Sequence, residues 1–576
     1  MLTENLLSRL TTPKTSKDGN MNQRTKYLLT AGFACSVFFL LGVLIEDQKS
    51  SPITRDAVAS AEKLIGLNFT DVKRDSMLDG LKDQLTNYQN IRKVELANSI
   101  PPAITFNPIP VGMKFESERR GFITSPPGTV VVPANFEDLA FYSVGQLAEL
   151  IRTRKVTSVQ LTTMYLNRLK KYGPKLLCVI TLTEDLAMRQ AKQADAEIAA
   201  GKYRGPLHGI PCGVKDLLST KVYKTTWGAT PFKNQMIDED ATVVKKLEEA
   251  GAVLLAKLSM GELAMDDVWY GGMTRNPWNY KEGSSGSSAG SASATSAGLV
   301  AFAIGTETWG SIVSPSSVCG TTGLRPTYGR VSRTGAMALA WSMDKIGPIC
   351  RTVEDCALVF NAIYGPDGKD QTLYDLPFNY TPKVSLSDLK IGYLKNDFDS
   401  VKTNRENNDS SFAVLRRLGA KLIPVTLPAL PISDLSIILS AEAGASFDEL
   451  TRSGSDSLLV RQAKYAWPNV FRTARFIPAV EYIQANRIRY LAIQEMAKLM
   501  NEVDVIVAPP FDGDNSLLTN LTGHPCVVVP NGFSKEGTPT SITFLGKLFD
   551  EATLLAVAKQ YQDATDFHLK HPKLEE

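Results

Sequence analysis

The sequence predicts an α/β catalytic domain, and three observations carry that prediction. Beyond Phe136 the pattern changes to helical segments alternating with short apolar runs. The clearest unit spans Asp240 to Lys257. Asp240 is placed to N-cap a helix carrying Val243, Val244, Leu247 and Ala250, Gly251 ends it, and Ala252-Val253-Leu254-Leu255 follows as a strand. Thr183 to Gly201 repeats the logic, with Leu186, Ala187, Ala191, Ala194 and Ile198 on one face. The chain then turns through Gly205-Pro206 into Ile210 to Leu218, which puts Lys215 on or just after a short strand.

At 576 residues the chain exceeds one ordinary domain, so a large catalytic domain with appendages, or two to three modules, is expected. Apolar content of 43% and charged content of 21% are those of a globular protein. With 63 basic against 60 acidic residues, no nucleic-acid partner is indicated. The seven cysteines are scattered singly, which argues against a disulfide framework. The four histidines form no HExxH or Cys/His ligand pattern, so no metal is expected.

In chain order, residues 1–26 form a basic tail containing Arg9, Lys14, Lys17, Arg24 and Lys26. Residues 27–45 run 19 positions without a charge, roughly 28 Å as a helix and just enough to span a bilayer. Basic residues before it and Glu46-Asp47 after it predict a membrane anchor with the catalytic domain on the non-cytoplasmic side. A cleaved export signal starting from Met21 is the rival reading, though no well-placed small-x-small site follows. Residues 46–135 read as accessory: an amphipathic helix from about Asp75 to Leu96, with Met77, Leu78, Leu81, Leu85, Tyr88 and Ile91 on its apolar side, then a Pro-rich stalk or wrap. Residues 136–576 form the catalytic domain. Towards its end, Val503 to Val507 and Cys526 to Val529 read as strands and Asp550 to Phe567 as a helix, whereas 370–490 resists placement.

Between Gly283 and Gly298 lie seven Ser, four Gly, four Ala and one Thr, the composition of a flexible linker. The flanks contradict a linker: the run feeds the apolar stretch Leu299 to Ile304, then GTETWGSIV (Gly305 to Val313) and CGTTGLRPTYGRVS (Cys319 to Ser332). Together with SGSSAGS (Ser285 to Ser291) and GIPCGVKD around Lys215, this resembles the amidase signature family, and the likeness extends over most of residues 136–568. The resemblance implies a large mixed β-sheet flanked by helices and amide hydrolysis without a cofactor. It implies Ser311 as nucleophile, Ser287 as bridging serine and Lys215 as base, and a cis peptide before Ser287. A serine hydroxyl needs a base to take its proton, and a desolvated neutral lysine supplies one. Ile210, Pro211, Val214 and Leu217 provide the apolar setting that disfavours the ammonium form, so activity is expected to rise through the alkaline range.

Backbone N–H groups of Thr308, Trp309, Gly310 and Ser311 are candidates for an oxyanion hole. Ser288 and Ser291 are candidates for support of the serine cluster. The chain departs from the family pattern at Glu307, Trp309 and Val313, which replace the usual Asp, Gly and Arg. Trp309 retains its N–H but is expected to narrow the site and to exclude the backbone angles that glycine favours. Gly286-Ser287-Ser288-Ala289-Gly290 also fits the hydrolase nucleophile elbow, with His524 in the right order, but the polar, proline-broken Asn276 to Glu282 does not make the strand an elbow requires. Other readings are a lipid-amide hydrolase at the bilayer, an inactive scaffold, and the A-type component of an amidotransferase. The substrate class is thus a small-molecule or lipid amide, and the sequence sets neither its identity nor the oligomeric state. Asn68, Asn379, Asn408 and Asn520 begin glycosylation sequons.

Overall fold

The computed structural model describes residues 53–574, which divide into two compact units between Glu95 and Leu96. The basic tail and the apolar run 27–45, with the membrane-anchor expectation that rests on them, lie outside the described residues. Among those described, no helix is long and apolar enough to cross a membrane.

Among its described residues the first unit holds two helices, α1 (Arg55–Leu64) and α2 (Asp71–Ile91). Thr54 Oγ1 caps α1 by accepting from Ala57 N at 3.2 Å. The helices are tied by Arg74 Nη2, 2.8 Å from the buried Glu62 carboxylate. The start of α2 falls four residues before the expected Asp75, with the acidic Asp71 in its first turn, where a helix N-terminus favours negative charge. Its expected apolar face is at most half-buried at Met77, Leu78, Leu81 and Leu85, and exposed at Tyr88 and Ile91.

The second unit opens with an extended segment, 96–135, that lies against the catalytic fold. Asn98 exchanges two 2.8 Å hydrogen bonds with the backbone of Ala338, Phe106 meets Tyr328 edge-on at 5.0 Å, and Ile123 N donates to Tyr380 O at 2.9 Å. The core is an 11-stranded sheet. Its strands in chain order are β1 (Val179–Leu182), β2 (Pro211–Lys215), β3 (Val253–Leu258), β4 (Phe302–Glu307), β5 (Thr322–Arg325), β6 (Lys345–Cys350), β7 (Lys390–Leu394), β8 (Lys421–Val425), β9 (Val505–Ala508), β10 (Cys526–Phe533) and β11 (Pro539–Gly546). They lie side by side as β1-β3-β2-β4-β6-β5-β10-β11-β9-β7-β8. The sheet is mixed: β3, β2 and β4 are parallel to their neighbours in that group, as are β9, β7 and β8, and the remaining pairings are antiparallel. Strands β2, β3, β4 and β6 are buried at every position, which explains their largely apolar sequences and makes Lys215, Lys257, Glu307 and Lys345 buried titratable groups.

Helices cover the sheet: α3 (Glu184–Ala199), α4 (Thr242–Glu249), α5 (Ala289–Ser296), α6 (Val313–Cys319), α7 (Ala479–Glu502) and α8 (Glu551–Asp563). The face of α3 formed by Ala187, Ala191, Ala194 and Ile198 is buried as expected. Asp240 does not cap α4; its carboxylate accepts from Lys221 N at 2.8 Å, and the N-cap position belongs to Ala241. Residues 370–490, which the sequence left unplaced, supply β7 and β8, the last two strands at one end of the sheet. The Ser/Gly-rich run is no linker: all eight residues of α5 are buried.

Candidate active site

Parallel strands β2 and β4 place the ends that carry Lys215 and Thr306 side by side. Val214 is in register with Ile304, so Lys215, the last residue of β2, lies level with the start of Gly305-Thr306-Glu307. Asp216 follows immediately and is held by Lys257 Nζ at 3.0 Å and Thr226 N at 2.8 Å, which fixes the strand end. Ser287 and Ser288 stand just before α5, and Ser311 lies in the turn between β4 and α6.

These elements converge on one buried amine. Lys215 Nζ hydrogen-bonds Ser287 Oγ at 2.8 Å, Thr306 Oγ1 at 2.9 Å and Ser288 Oγ at 3.1 Å, with Thr306 O at 3.4 Å. Burial pushes the Lys215 amine down to about 7, against the smaller upward pull of the Asp344 and Glu307 charges. The peptide Gly286–Ser287 is cis, as the resemblance implies. A side chain at residue 286 is excluded, because a Cβ there would lie 1.7 Å from Asp266 O.

Ser311 is brought to this cluster through its backbone, Ser288 N donating to Ser311 O at 3.1 Å. The residue is 7% exposed and its hydroxyl has no hydrogen-bond partner among the described residues. The N–H groups of Trp309, Gly310 and Ser311 likewise find no protein acceptor among the described residues. The left-handed backbone of the turn falls on Gly310 (φ +81°), so Trp309 needs no glycine-only angles. Its side chain is 45% exposed and stands out from the turn.

The turn is gripped from below by Glu307. One carboxylate oxygen accepts from Ile312 N and Val313 N at 2.9 and 3.0 Å, and the other from Arg325 Nη1 and Asn520 Nδ2, both at 2.8 Å. Burial alone would raise this carboxyl, yet Arg325 and the other donors hold it at about 2. Asn520 is fully buried, which removes it as a glycosylation site. Val313, where the family pattern carries Arg, is buried in an apolar cluster with Ala340 and Met343.

Of the two supporting serines, Ser288 touches Lys215 directly, whereas Ser291 Oγ donates to Ile304 O at 3.0 Å and braces β4. His524 is buried and bonded to Thr522, and burial pushes it down to about 3. Sequence reasoning missed Thr306 and Asp344. Thr306 is a polar residue on a strand buried at every position, which marks it once the strand is known, but nothing local marks Asp344. A cavity of about 230 Å³ opens beside the cluster, lined by Thr306, Thr308, Asp344 and Leu217 and walled by Asn98 and Pro101 of the extended segment. Neither Ser287 nor Ser311 lines it.

A family model described as Amidase matches residues 160–555. The chain is 35% identical to the A-type component of glutamyl-tRNA(Gln) amidotransferase from Marinomonas sp. (strain MWYL1), over 75% of this chain and 98% of that protein. Among solved structures it is similar to the native peptide amidase from Stenotrophomonas maltophilia, with TM-score 0.67 and 29% identity over 76% of this chain and 100% of that one. It is also similar to the A-type component of glutamyl-tRNA(Gln) amidotransferase from Thermotoga maritima, with TM-score 0.64 and 26% identity over 78% and 100% of the two chains. The chain therefore belongs to the amidase family, enzymes that act on carbon–nitrogen amide bonds.

Proposed function

We propose that the protein hydrolyses carboxylic amides through an acyl-enzyme on Ser311, with Lys215 as base and Ser287 as the relay between them. The observation that carries this reading is the buried Lys215 amine 2.8 Å from Ser287 Oγ. Its hydrogen-bond partners also accommodate the neutral form that a base requires. Ser288 Oγ gives its own hydrogen to Thr306 O at 3.0 Å, so towards Lys215 it acts as an acceptor. With Thr306 Oγ1 as second acceptor, both hydrogens of a neutral amine are used, and its lone pair is left for the hydroxyl of Ser287.

In the reaction Ser311 Oγ attacks the carbonyl carbon while its proton passes to Ser287 Oγ, whose own proton passes to Lys215 Nζ. The N–H groups of Trp309, Gly310 and Ser311 receive the negative oxygen of the tetrahedral intermediate. Collapse breaks the carbon–nitrogen bond as the amine takes a proton back through Ser287, and water releases the acid by the same steps. The named peptide amidase supports amidated peptides as first substrates to try. Removing the nucleophile of a serine hydrolase costs about a millionfold in kcat. We expect Ser311→Ala to lose at least a thousandfold on such an amide; retained turnover would refute the assignment.

A second reading, release of ammonia from glutamine within a larger assembly, is favoured by the match along nearly the whole length of an amidotransferase component. Faster turnover of glutamine than of peptide or other carboxylic amides supports it. The apolar run 27–45 is the basis for placing the enzyme at a membrane with its catalytic unit on the non-cytoplasmic side. Protease accessibility of that unit in intact cells tests the placement.

A further inference from the structure

We propose that Asp344 is a positioning residue for this reaction: it fixes the nucleophile-bearing turn through Thr308, on the wall of the cavity that Thr306, Thr308 and Asp344 line together. The inference rests on the catalytic roles proposed above. Thr308 Oγ1 donates to Asp344 Oδ1 at 2.6 Å, and Asp344 Oδ2 accepts from Leu339 N at 2.8 Å and Ala340 N at 3.0 Å. One carboxylate thus joins the loop 339–344 to the first residue of the turn that carries the candidate oxyanion donors and Ser311. Glu307 holds the far end of the same turn at Ile312 and Val313. The turn is clamped at both ends, and of the two clamping carboxylates only Glu307 lies within the Gly305–Val313 motif.

The charged groups around the amine are few. Glu307 and Asp344 are the charges acting on Lys215. Glu307 is itself paired with Arg325, and Asp344 is offset by Arg333. Lys345 beside it is driven well below the ordinary lysine range by burial and donates to Met343 O. The Asp216–Lys257 pair on the other side is internally matched at 3.0 Å. Removing the Asp344 charge therefore leaves one carboxylate to favour the ammonium form, and Lys215 should then lose its proton at lower pH.

The test compares full-length wild type with Asp344→Asn, Thr308→Val, Thr308→Ser and Ser311→Ala on one peptide amide. Kinetics are read as kcat, KM and the pH profile of kcat/KM. We expect Thr308→Val to lower kcat about tenfold with KM within about twofold, since a small displacement of the turn is felt in the transition state. Thr308→Ser, which keeps the hydroxyl, recovers most of that loss. Asp344→Asn lowers kcat similarly and moves the acid limb down by about one pH unit, as loss of a nearby opposite charge requires. A merely structural carboxylate would not move that limb. A folded Asp344→Asn enzyme with wild-type kcat and acid limb, or a Thr308→Ser enzyme as slow as Thr308→Val, overturns the proposal. If Asp344→Asn does not fold, the two Thr308 variants decide it. Activity surviving in Ser311→Ala instead refutes the nucleophile assignment, a failure distinct from that of Asp344.

Discussion

At the scale of single residues, chemistry and stability pull Lys215 in opposite directions. In the proposed mechanism the amine serves as base because burial holds it near 7, but the same burial costs stability wherever the unfolded chain would be protonated and the folded one is not. The unfolded amine titrates near 10.5 and the folded one near 7, so the unfolded chain binds more protons between those values and stability rises with pH across that window. We expect wild type to gain a few kcal/mol relative to Lys215→Met between pH 7 and 10.5. Chemical denaturation of the pair at several pH values measures it, and parallel curves would contradict it. Lys215 and Ser287, 2.8 Å apart, were singled out by the motifs that carry the family resemblance, since composition alone does not distinguish Ser287 among the seven serines of 283–298. Thr306 and Asp344 were not, because their part depends on tertiary contacts: Thr306 reaches Lys215 across 91 positions, and Asp344 reaches Thr308 across 36.

At the scale of elements, the turn from β4 into α6 is organised by a charge buried beneath it. Glu307 satisfies two N–H groups at the start of α6 and is matched by Arg325 from β5, itself 1% exposed. Breaking such a pair leaves a buried charge unmatched. Glu307→Gln should therefore cost about 3 kcal/mol or more at pH 7, read from urea unfolding. Because the folded carboxyl is held near 2 against an ordinary 4.5, its stabilisation is complete above about 4.5 and is lost as pH falls towards 2. The penalty of Glu307→Gln should shrink over that same interval; a pH-independent penalty would point to shape alone. Elements with strong periodicity, such as α3, were legible within a residue or two. The cap of α4 was not, because Asp240 is drawn off by the backbone of Lys221, a partner 19 residues away. Strand β8 escaped because it is the edge strand, where exposed positions such as Lys421, Ile423 and Pro424 break the apolar run that marks a buried strand, and β7 beside it is short, with Lys390 exposed and Gly392 in its middle.

At the scale of the whole molecule, the catalytic unit begins at Leu96 and includes the Pro-rich segment. Phe106 is held between Tyr328 and the Arg489 guanidinium, 3.5 Å from its ring centroid, and Asn98 helps wall the cavity beside Lys215. We expect removal of residues 1–95 to leave a folded, active enzyme, and removal of 1–135 to lower the thermal midpoint and the yield of soluble protein. Equal midpoints for the two truncations would contradict a structural part for the segment. The central claim is that Ser311 is a nucleophile activated by a lysine that loses its proton near neutrality. Its most direct test is the rate of labelling by a fluorophosphonate probe as a function of pH, with the labelled peptide mapped by mass spectrometry in wild type and Lys215→Ala. We expect label on Ser311, a rate that rises through a limb near pH 7, and a much slower rate in Lys215→Ala. Label on Ser288, or a rate on Ser311 indifferent to both pH and Lys215, would contradict it.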